Sequence, residues 1–139
     1  MQFPEDVEKA YQAALEARNH SHSPYSKFAV GAAVKIEGHS EPVSGCNVEN
    51  ASFGATICAE RSALVQAVSR WGGTIRPEFL VVVTGEADAT VPCAQCLQVM
   101  AEFCGDDTKI YLGNEEGLQK LYALKELLPY PFRRFTVKP

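Results

Sequence analysis

The chain has 139 residues, of which 46% are hydrophobic and 22% are charged, and its formal net charge at pH 7 is −4. This size and composition predict a single globular domain over residues 1–139 with a sizeable core. The acidic balance provides no basic surface for nucleic acid or an anionic membrane, and the longest apolar runs, such as 79–83, are too short to cross a bilayer.

The first residues lack the basic start and the apolar stretch of a signal peptide, which predicts a cytoplasmic location. Glu5–Arg18 has apolar side chains at helical spacing with charges opposite, which predicts an amphipathic helix. The alternating segment Phe28–Ile36 predicts a strand, and Val43–Glu49 predicts the returning strand of a hairpin. From the residues alone, the polar end of this second strand, Asn47-Val48-Glu49-Asn50, most simply caps a turn.

Two cysteine-containing motifs begin the next predicted helices. The first helix runs over Cys58–Arg70 and is stopped by Trp71-Gly72-Gly73, and the second runs from Cys93 to about Cys104. Between them, the continuous apolar run Phe79–Thr84 predicts a buried strand.

The last third of the chain predicts a strand at Lys109–Leu112, a tight turn at 114–117, an antiparallel strand at Leu118–Ala123 and a short helix at Leu124–Leu128. Strand–helix–strand units favour parallel neighbours, whereas the hairpins at both ends add antiparallel strands. The predicted fold is therefore α/β, a three-layer α/β/α sandwich around a mixed five-stranded sheet.

Cys58, Cys93 and Cys96 stand at the starts of the two cysteine-containing helices, where unpaired N–H groups and a partial positive charge lower a thiol's pKa. If the helices lie side by side, the three thiolates form three-quarters of a tetrahedral zinc site, and the fourth position can take water. Glu60 follows Cys58 by two residues, so its carboxylate lies near the metal and is suited to carry protons. Five cysteines with this spacing also argue against a disulfide framework.

These residues resemble the cytidine deaminase family, in its small, tetrameric, three-cysteine branch, over nearly the whole chain. Zinc deaminases combine cysteine ligands with a non-ligand Glu and a Pro-Cys-x-x-Cys motif, which is present at Pro92–Cys96. The segments 23–28, 30–33, 45–51 and 127–129 also match the family's pattern. The resemblance implies zinc-dependent hydrolysis of cytidine and deoxycytidine to uridine and deoxyuridine, with release of ammonia, in pyrimidine salvage.

The resemblance also implies a role for each matching residue. The three cysteines would bind Zn²⁺, and Glu60 would carry protons at the pyrimidine ring. Asn47 and Glu49 would hold the ribose hydroxyls, which replaces the turn-capping interpretation above. The other implied roles belong to Phe28 and the backbone of Ala59 at the base, to Arg61 as a hydrogen-bond donor to the thiolates, and to Phe132, which a neighbouring subunit of a homotetramer would add to the pocket.

Three positions depart from the family's usual pattern. Ala94 and Leu97 stand where Gly and Arg are common, so a positive charge beside the thiolates is missing. Phe53 stands where Tyr is common, so a hydroxyl that could reach the 5′ side of the sugar is absent. Because these positions are neither implied ligands nor Glu60, we expect activity to be retained, with any effect falling on rate and sugar preference.

Three alternatives remain open at this point. A deaminase of the same fold could act on another cytosine-containing or modified nucleoside, or on a base in RNA, although the missing basic patch counts against polynucleotides. A structural zinc module would normally have four protein ligands and would leave Glu60 without a role. A thiol–disulfide enzyme would use Cys93 and Cys96, but such a motif normally works alone, and Cys58 would compete for pairing.

Overall fold

The computed structural model describes residues 2–136, in which helices and strands follow one another in the predicted order. The elements are α1 (Glu5–Arg18), β1 (Gly31–Ile36), β2 (Val43–Cys46), α2 (Ala59–Trp71), β3 (Pro77–Val83), α3 (Ala94–Phe103), β4 (Lys109–Asn114), β5 (Gly117–Ala123) and α4 (Leu124–Leu127). A single 3₁₀ turn, Phe53–Ala55, precedes α2. Within the part of the chain that is described, no helix combines the length and the apolar character needed to cross a membrane.

The sheet has the strand order β2-β1-β3-β4-β5, which confirms a mixed five-stranded sheet. Only β3 and β4 are parallel neighbours, and α3 connects them; the other three pairs are antiparallel. The strands that α2 connects, β2 and β3, both pair with β1, so this crossover passes over β1 and does not join neighbours. The choice of an antiparallel strand after the turn at 114–117 is confirmed, since β5 pairs antiparallel with β4.

Helices cover both faces of the sheet, as predicted. The α1 face is an apolar layer formed by Val7, Ala10, Tyr11 and Ala14 of the helix and Ala33, Phe79, Val81, Val83 and Tyr111 of the strands. The opposite layer contains Leu80 and Val82 together with Leu64 of α2 and Met100 of α3. Because neighbouring β3 residues face opposite layers, a strand buried on both sides needs apolar residues at nearly every position, which explains its continuous apolar run.

Close packing of α2 against the edge strand β2 depends on a glycine. A Cβ on Gly45 would come within 2.6 Å of the Ala63 nitrogen, and Ser62 is equally near. A side chain at this position would push α2 away from the sheet. Because Gly45 has no side chain, the start of α2, and with it the first cysteine motif, packs closely over β1 and β2.

Both strands of the first hairpin are shorter than predicted, because residues 28–30 and 47–49 lie outside the ladder. The Asn47 side chain accounts for the change. Its N–H group donates to the Phe28 carbonyl at 2.7 Å, and its Oδ1 accepts from the Val30 N–H at 2.9 Å. A side chain thus satisfies backbone groups that a longer strand would have paired, and the chain opens into a pocket at this edge.

Candidate active site

The structure brings together the three cysteines that the sequence predicts to converge. Cys58 and Cys93 are the N-caps of α2 and α3, one residue before the observed helices begin, and Cys96 lies in the first turn of α3. Their sulfurs all lie within 4.8 Å of one another, and the Cys58 and Cys93 sulfurs are 3.9 Å apart. Among the described residues, this is the group of cysteine, histidine and acidic side chains whose geometry could hold a metal ion.

The donor set fits zinc. Zn–S bonds of about 2.3 Å in a tetrahedral site place two sulfurs about 3.8 Å apart, close to the observed separation of Cys58 and Cys93. Hydrogen bonding from Cys96, and then from the Arg61 guanidinium, lowers the pKa of the Cys58 thiol to about 5. The same bond raises the pKa of Cys96, which donates it. At least one sulfur is therefore ready to bind a metal as a thiolate at neutral pH.

Arg61 is the cation that the structure places beside the sulfurs. Its Nη2 lies 3.4 Å from the Cys58 sulfur and 3.4 Å from the Thr56 carbonyl. Its Nε is buried and has no hydrogen-bond partner within residues 2–136. A buried donor without a partner is costly. The free donor of this guanidinium therefore fits a site that carries more negative charge than three neutral thiols would, as three thiolates do.

Glu60 lies in the first turn of α2 and is only 4% exposed, although it is a carboxylic acid. Burial, with a smaller contribution from a negative charge on Cys58, raises the pKa of Glu60 to about 7. A carboxyl group in this range can both accept and release a proton near neutral pH, as a general acid–base group must.

A cavity of about 240 Å³ opens beside the sulfurs and Glu60. Six of the residues predicted for the site contribute to its wall: Phe28, Asn47, Glu49, Cys58, Ala59 and Glu60. Seven further residues, which the sequence did not single out, complete it: Ser26, Val30, Thr56, Val82, Thr84, Thr90 and Val91. The lining is mostly apolar with a few polar groups converging on it, which is the usual character of a small-molecule site.

Asn47 is buried and fixes the wall of the cavity through both ends of its amide. Besides its bonds to the backbone at 28 and 30, its Oδ1 accepts from the Ser21 hydroxyl. The amide nitrogen of Asn47 has two N–H groups, and the Phe28 carbonyl accepts one of them. The bonds set the orientation of Asn47 at the cavity.

Glu49 is held as a carboxylate by the loop that precedes β1. Its oxygens accept from the N–H groups of Tyr25, at 2.9 Å, and Ser26, at 3.1 Å, and from the Ser26 hydroxyl. The Ser26 hydroxyl is the main cause of a lowered pKa of Glu49. Ser26 was missed by sequence reasoning, because its partner lies 23 residues away and serines in a polar loop carry no signal of such a contact.

Phe132 does not line the cavity of its own chain. Its side chain is 63% exposed, its ring stacks on that of Phe135, and its carbonyl accepts from Gln98. Of the predicted substrate contacts, Phe132 is therefore the one that the fold of a single chain does not bring to the cavity.

The three unusual positions lie in different surroundings. Leu97 is 7% exposed and packs into the apolar core, so it brings no charge to the sulfurs. Ala94 is exposed on the first turn of α3. Phe53 is 73% exposed and meets Tyr25 edge to face, with ring centroids 5.6 Å apart, next to Glu49 and Ser26.

A comparison with known protein families finds one that spans most of the chain. The model described as "Cytidine and deoxycytidylate deaminase zinc-binding region" matches residues 4–113. This match and the cluster of three sulfurs confirm the predicted cofactor, Zn²⁺.

Individual relatives agree in sequence and in structure. The cytidine deaminase of Halalkalibacterium halodurans is 42% identical over 127 residues, which are 91% of this chain and 94% of the relative. That of Sporosarcina psychrophila is 40% identical over 129 residues, 93% of each chain. The crystal structure of cytidine deaminase from Burkholderia pseudomallei superposes with a TM-score of 0.82 at 34% identity, covering 94% of this chain and 100% of that one.

Proposed function

Since this chain belongs to the family of cytidine and deoxycytidylate deaminases, we propose that it hydrolyses cytidine and deoxycytidine to uridine and deoxyuridine, releasing ammonia. The family match and the curated relatives confirm the family that the sequence resembles. One observation carries the proposal: Cys58, one of the three clustered cysteines, and a buried carboxyl group, Glu60, line the same cavity of about 240 Å³. A structural metal site would need neither the cavity nor the carboxyl group.

We assign the zinc to Cys58, Cys93 and Cys96, whose sulfur spacing supports tetrahedral binding. When bound, zinc supplies a hydrolytic nucleophile at neutral pH, because it acidifies a water molecule. Arg61 donates to the Cys58 sulfur and offsets part of the negative charge of the thiolates. The N-termini of α2 and α3 add their partial positive charges at the same point.

Glu60 performs the proton transfers in this scheme. It accepts a proton from the attacking water and gives it to ring N3 of the cytosine, and it then takes the proton of the new C4 hydroxyl and passes it to the departing amine. Loss of the amine as ammonia leaves a C4 carbonyl, which is uracil. The buried position of Glu60, with its pKa near 7, supports a group that accepts and releases a proton twice in each turnover.

The cavity wall supports the binding of a free nucleoside. Phe28 offers an aromatic face to the pyrimidine, and the backbone of Ala59, at the start of α2, offers polar groups to the base edge. Asn47 and Glu49 offer an amide and an ionised carboxylate to the ribose hydroxyls. With a net charge of −4, the chain presents no basic balance suited to a polynucleotide.

The assay that tests the function is direct. Purified, zinc-loaded protein is incubated separately with cytidine and deoxycytidine, and the change of the ultraviolet spectrum to that of the uracil nucleoside is followed together with ammonia release. Turnover of either substrate supports the proposal. If neither is converted while zinc is bound and the protein is folded, the proposal fails, and modified cytosine nucleosides become the next substrates to assay.

We further propose that residues 1–139 form one domain, that the enzyme is a cytoplasmic homotetramer, and that its active sites are shared between subunits. The exposed rings of Phe132 and Phe135 support a shared site, since the aromatic residue expected over the base lies away from its own cavity. The five free cysteines support a reducing compartment, in which a thiolate site is preserved. Light scattering after size-exclusion chromatography measures the number of subunits.

Mixing two defective variants tests whether sites are shared. Glu60→Ala chains keep Phe132, and Phe132→Ala chains keep Glu60. In a closed symmetric oligomer assembled at random from equal amounts, about a quarter of the sites combine an intact Glu60 with a neighbour's intact Phe132. Co-refolding should then give more activity than the average of the two parents. Mixed oligomers without such recovery, when Phe132→Ala alone is impaired, would assign Phe132 to its own chain.

A further inference from the structure

The C-terminal segment, residues 128–136, follows α4 and contains no helix or strand over its described length. Its course is therefore set by individual contacts and not by a backbone ladder. Within it, Phe132 and Phe135 are 63% and 74% exposed, and their rings lie 6.3 Å apart and within 3° of parallel. Because both rings are exposed, other contacts of the segment have to hold it in place on the protein.

Three polar contacts to α3 and the turn after it supply that attachment. Gln98, in the middle of α3, donates from Nε2 to the Phe132 carbonyl at 2.6 Å. Arg133 donates from Nη1 to the Cys104 carbonyl at 2.9 Å and pairs through Nη2 with the Asp106 carboxylate at 2.8 Å. The contacts engage the backbone of residue 132 and the side chain of residue 133, so the phenyl ring of Phe132 stays available.

The second attachment uses the electrostatics of a helix end. Cys104 is the C-cap of α3, where carbonyls lack helical partners and a partial negative charge accumulates. The guanidinium of Arg133 satisfies one such carbonyl and carries the opposite charge. Gln98 and Cys104 lie about 9 Å apart along the helix at 1.5 Å per residue. Two attachments at this distance restrict both sliding and rotation of the segment.

We propose that Gln98 and Arg133 are positioning residues, which hold the Phe132 ring in the orientation that covers the base in a neighbouring subunit's cavity. This inference rests on the proposed sharing of active sites. The helix involved is the one whose first turn carries Cys96 and whose N-cap is Cys93. One rigid helix thus supplies two sulfurs to the site of its own chain and fixes the base-covering ring for the site of another.

The first experiment removes the Gln98 donor without changing its size. The carboxylate of Gln98→Glu cannot donate to the Phe132 carbonyl. We expect KM for cytidine to rise about three- to tenfold, the scale of one lost hydrogen bond, with kcat and zinc content unchanged. A ring that covers the base equally in the ground state and the transition state affects KM alone. The matched control is Gln66→Glu, because Gln66 of α2 makes a similar bond, to the Ser44 carbonyl at 2.9 Å, away from the segment.

Two further measurements separate positioning from a general effect on the fold. In a Phe132→Ala background, Gln98→Glu should raise KM no further, because the ring that it positions is gone. Co-refolding Gln98→Glu chains with Glu60→Ala chains should produce a component with the wild-type KM, because some sites combine an intact Glu60 with a neighbour's intact attachment. An additive rise in KM, or the absence of that component, would overturn the inference.

Arg133→Ala removes the other attachment and serves as the second variant if Gln98→Glu does not fold. The outcomes distinguish this inference from the proposed function. If the wild-type protein converts neither cytidine nor deoxycytidine, the proposed function fails. If the wild type is active and Phe132→Ala is impaired, but Gln98→Glu and Arg133→Ala both keep the wild-type KM, the function stands and the positioning role is wrong.

Discussion

The starts of α2 and α3 lie side by side and both bring cysteine sulfurs to the proposed metal site, but their other side chains differ. The start of α2 adds the buried acid Glu60 and the cation Arg61. The start of α3 adds an exposed Ala94 and a core residue, Leu97. In the proposed assignment, metal binding is therefore divided between the two helices, whereas the charged side chains beside the sulfurs, Glu60 and Arg61, come from α2 alone.

The largest effect is expected where the two helices are equivalent. Replacing Cys58, Cys93 or Cys96 by Ala should abolish zinc binding and turnover, because two thiolates do not complete the site. Metal content by mass spectrometry and a cytidine assay measure this. Cys46 and Cys104 are the controls: Cys104 is buried, which raises its pKa to about 12, and it lies outside the sulfur cluster. Equal zinc loss in either control would contradict the ligand assignment.

The second effect should be confined to α2. Glu60→Gln keeps the size of the side chain but removes the proton carrier, so turnover should fall on the order of 10²-fold or more. Zinc content and the melting temperature should stay close to those of the wild type, because Glu60 is not assigned as a ligand. Steady-state kinetics combined with metal analysis measure both quantities. Near-normal turnover, or a protein without zinc, would remove Glu60 from its proposed role.

A smaller effect should distinguish the charged start from the apolar one. Arg61→Gln removes the cation beside the Cys58 sulfur and should weaken zinc binding about 10- to 100-fold. Leu97→Met is the matched change on α3 and should leave zinc affinity unchanged, because it keeps the volume of a core side chain. Competition with a chromophoric chelator gives both affinities. Equal losses would mean that packing at the helix starts, and not charge on α2, sets the affinity.

The smallest effect concerns the sugar side of the cavity and depends on pH. The Ser26 hydroxyl lowers the pKa of Glu49, so the carboxylate stays ionised as the pH falls below neutrality. Ser26→Ala removes that bond and raises the pKa of Glu49 towards its ordinary value. The rise of KM at acidic pH should therefore begin at a higher pH than in the wild type, while KM at neutral pH changes little.

The control for this measurement is Ser40→Ala, a serine on the exposed turn between β1 and β2. Its pH profile should coincide with that of the wild type. A Ser26→Ala profile that also coincides, or one that shifts to lower pH, would show that the ionisation of Glu49 does not control nucleoside binding.

Local sequence determined most of the helices and strands and the identity of the site. The 3.6-residue period of Glu5–Arg18 is a property of neighbouring residues, and the observed α1 has the same bounds. The cysteine motifs likewise specify metal chemistry through short spacings, and the structure places both at helix starts. The continuous apolar run of β3 reflects burial on both faces, which any strand in the middle of such a sandwich requires.

Only the tertiary structure decided which distant residues share the cavity and which do not. Both strands of the first hairpin end where the Asn47 side chain bonds to backbone groups 17 and 19 residues away, and no local sequence pattern predicts these contacts. Ser26 precedes β1 and Thr84 follows β3. Because these strands are antiparallel, the start of β1 lies beside the end of β3, and both residues line the cavity there. The physical reason is the same in each case. Periodicity and motif spacing record interactions within one or two turns of chain. The cavity is formed by strand order and helix docking, and the C-terminal segment is held by its bond to Gln98; both depend on contacts between segments far apart in sequence.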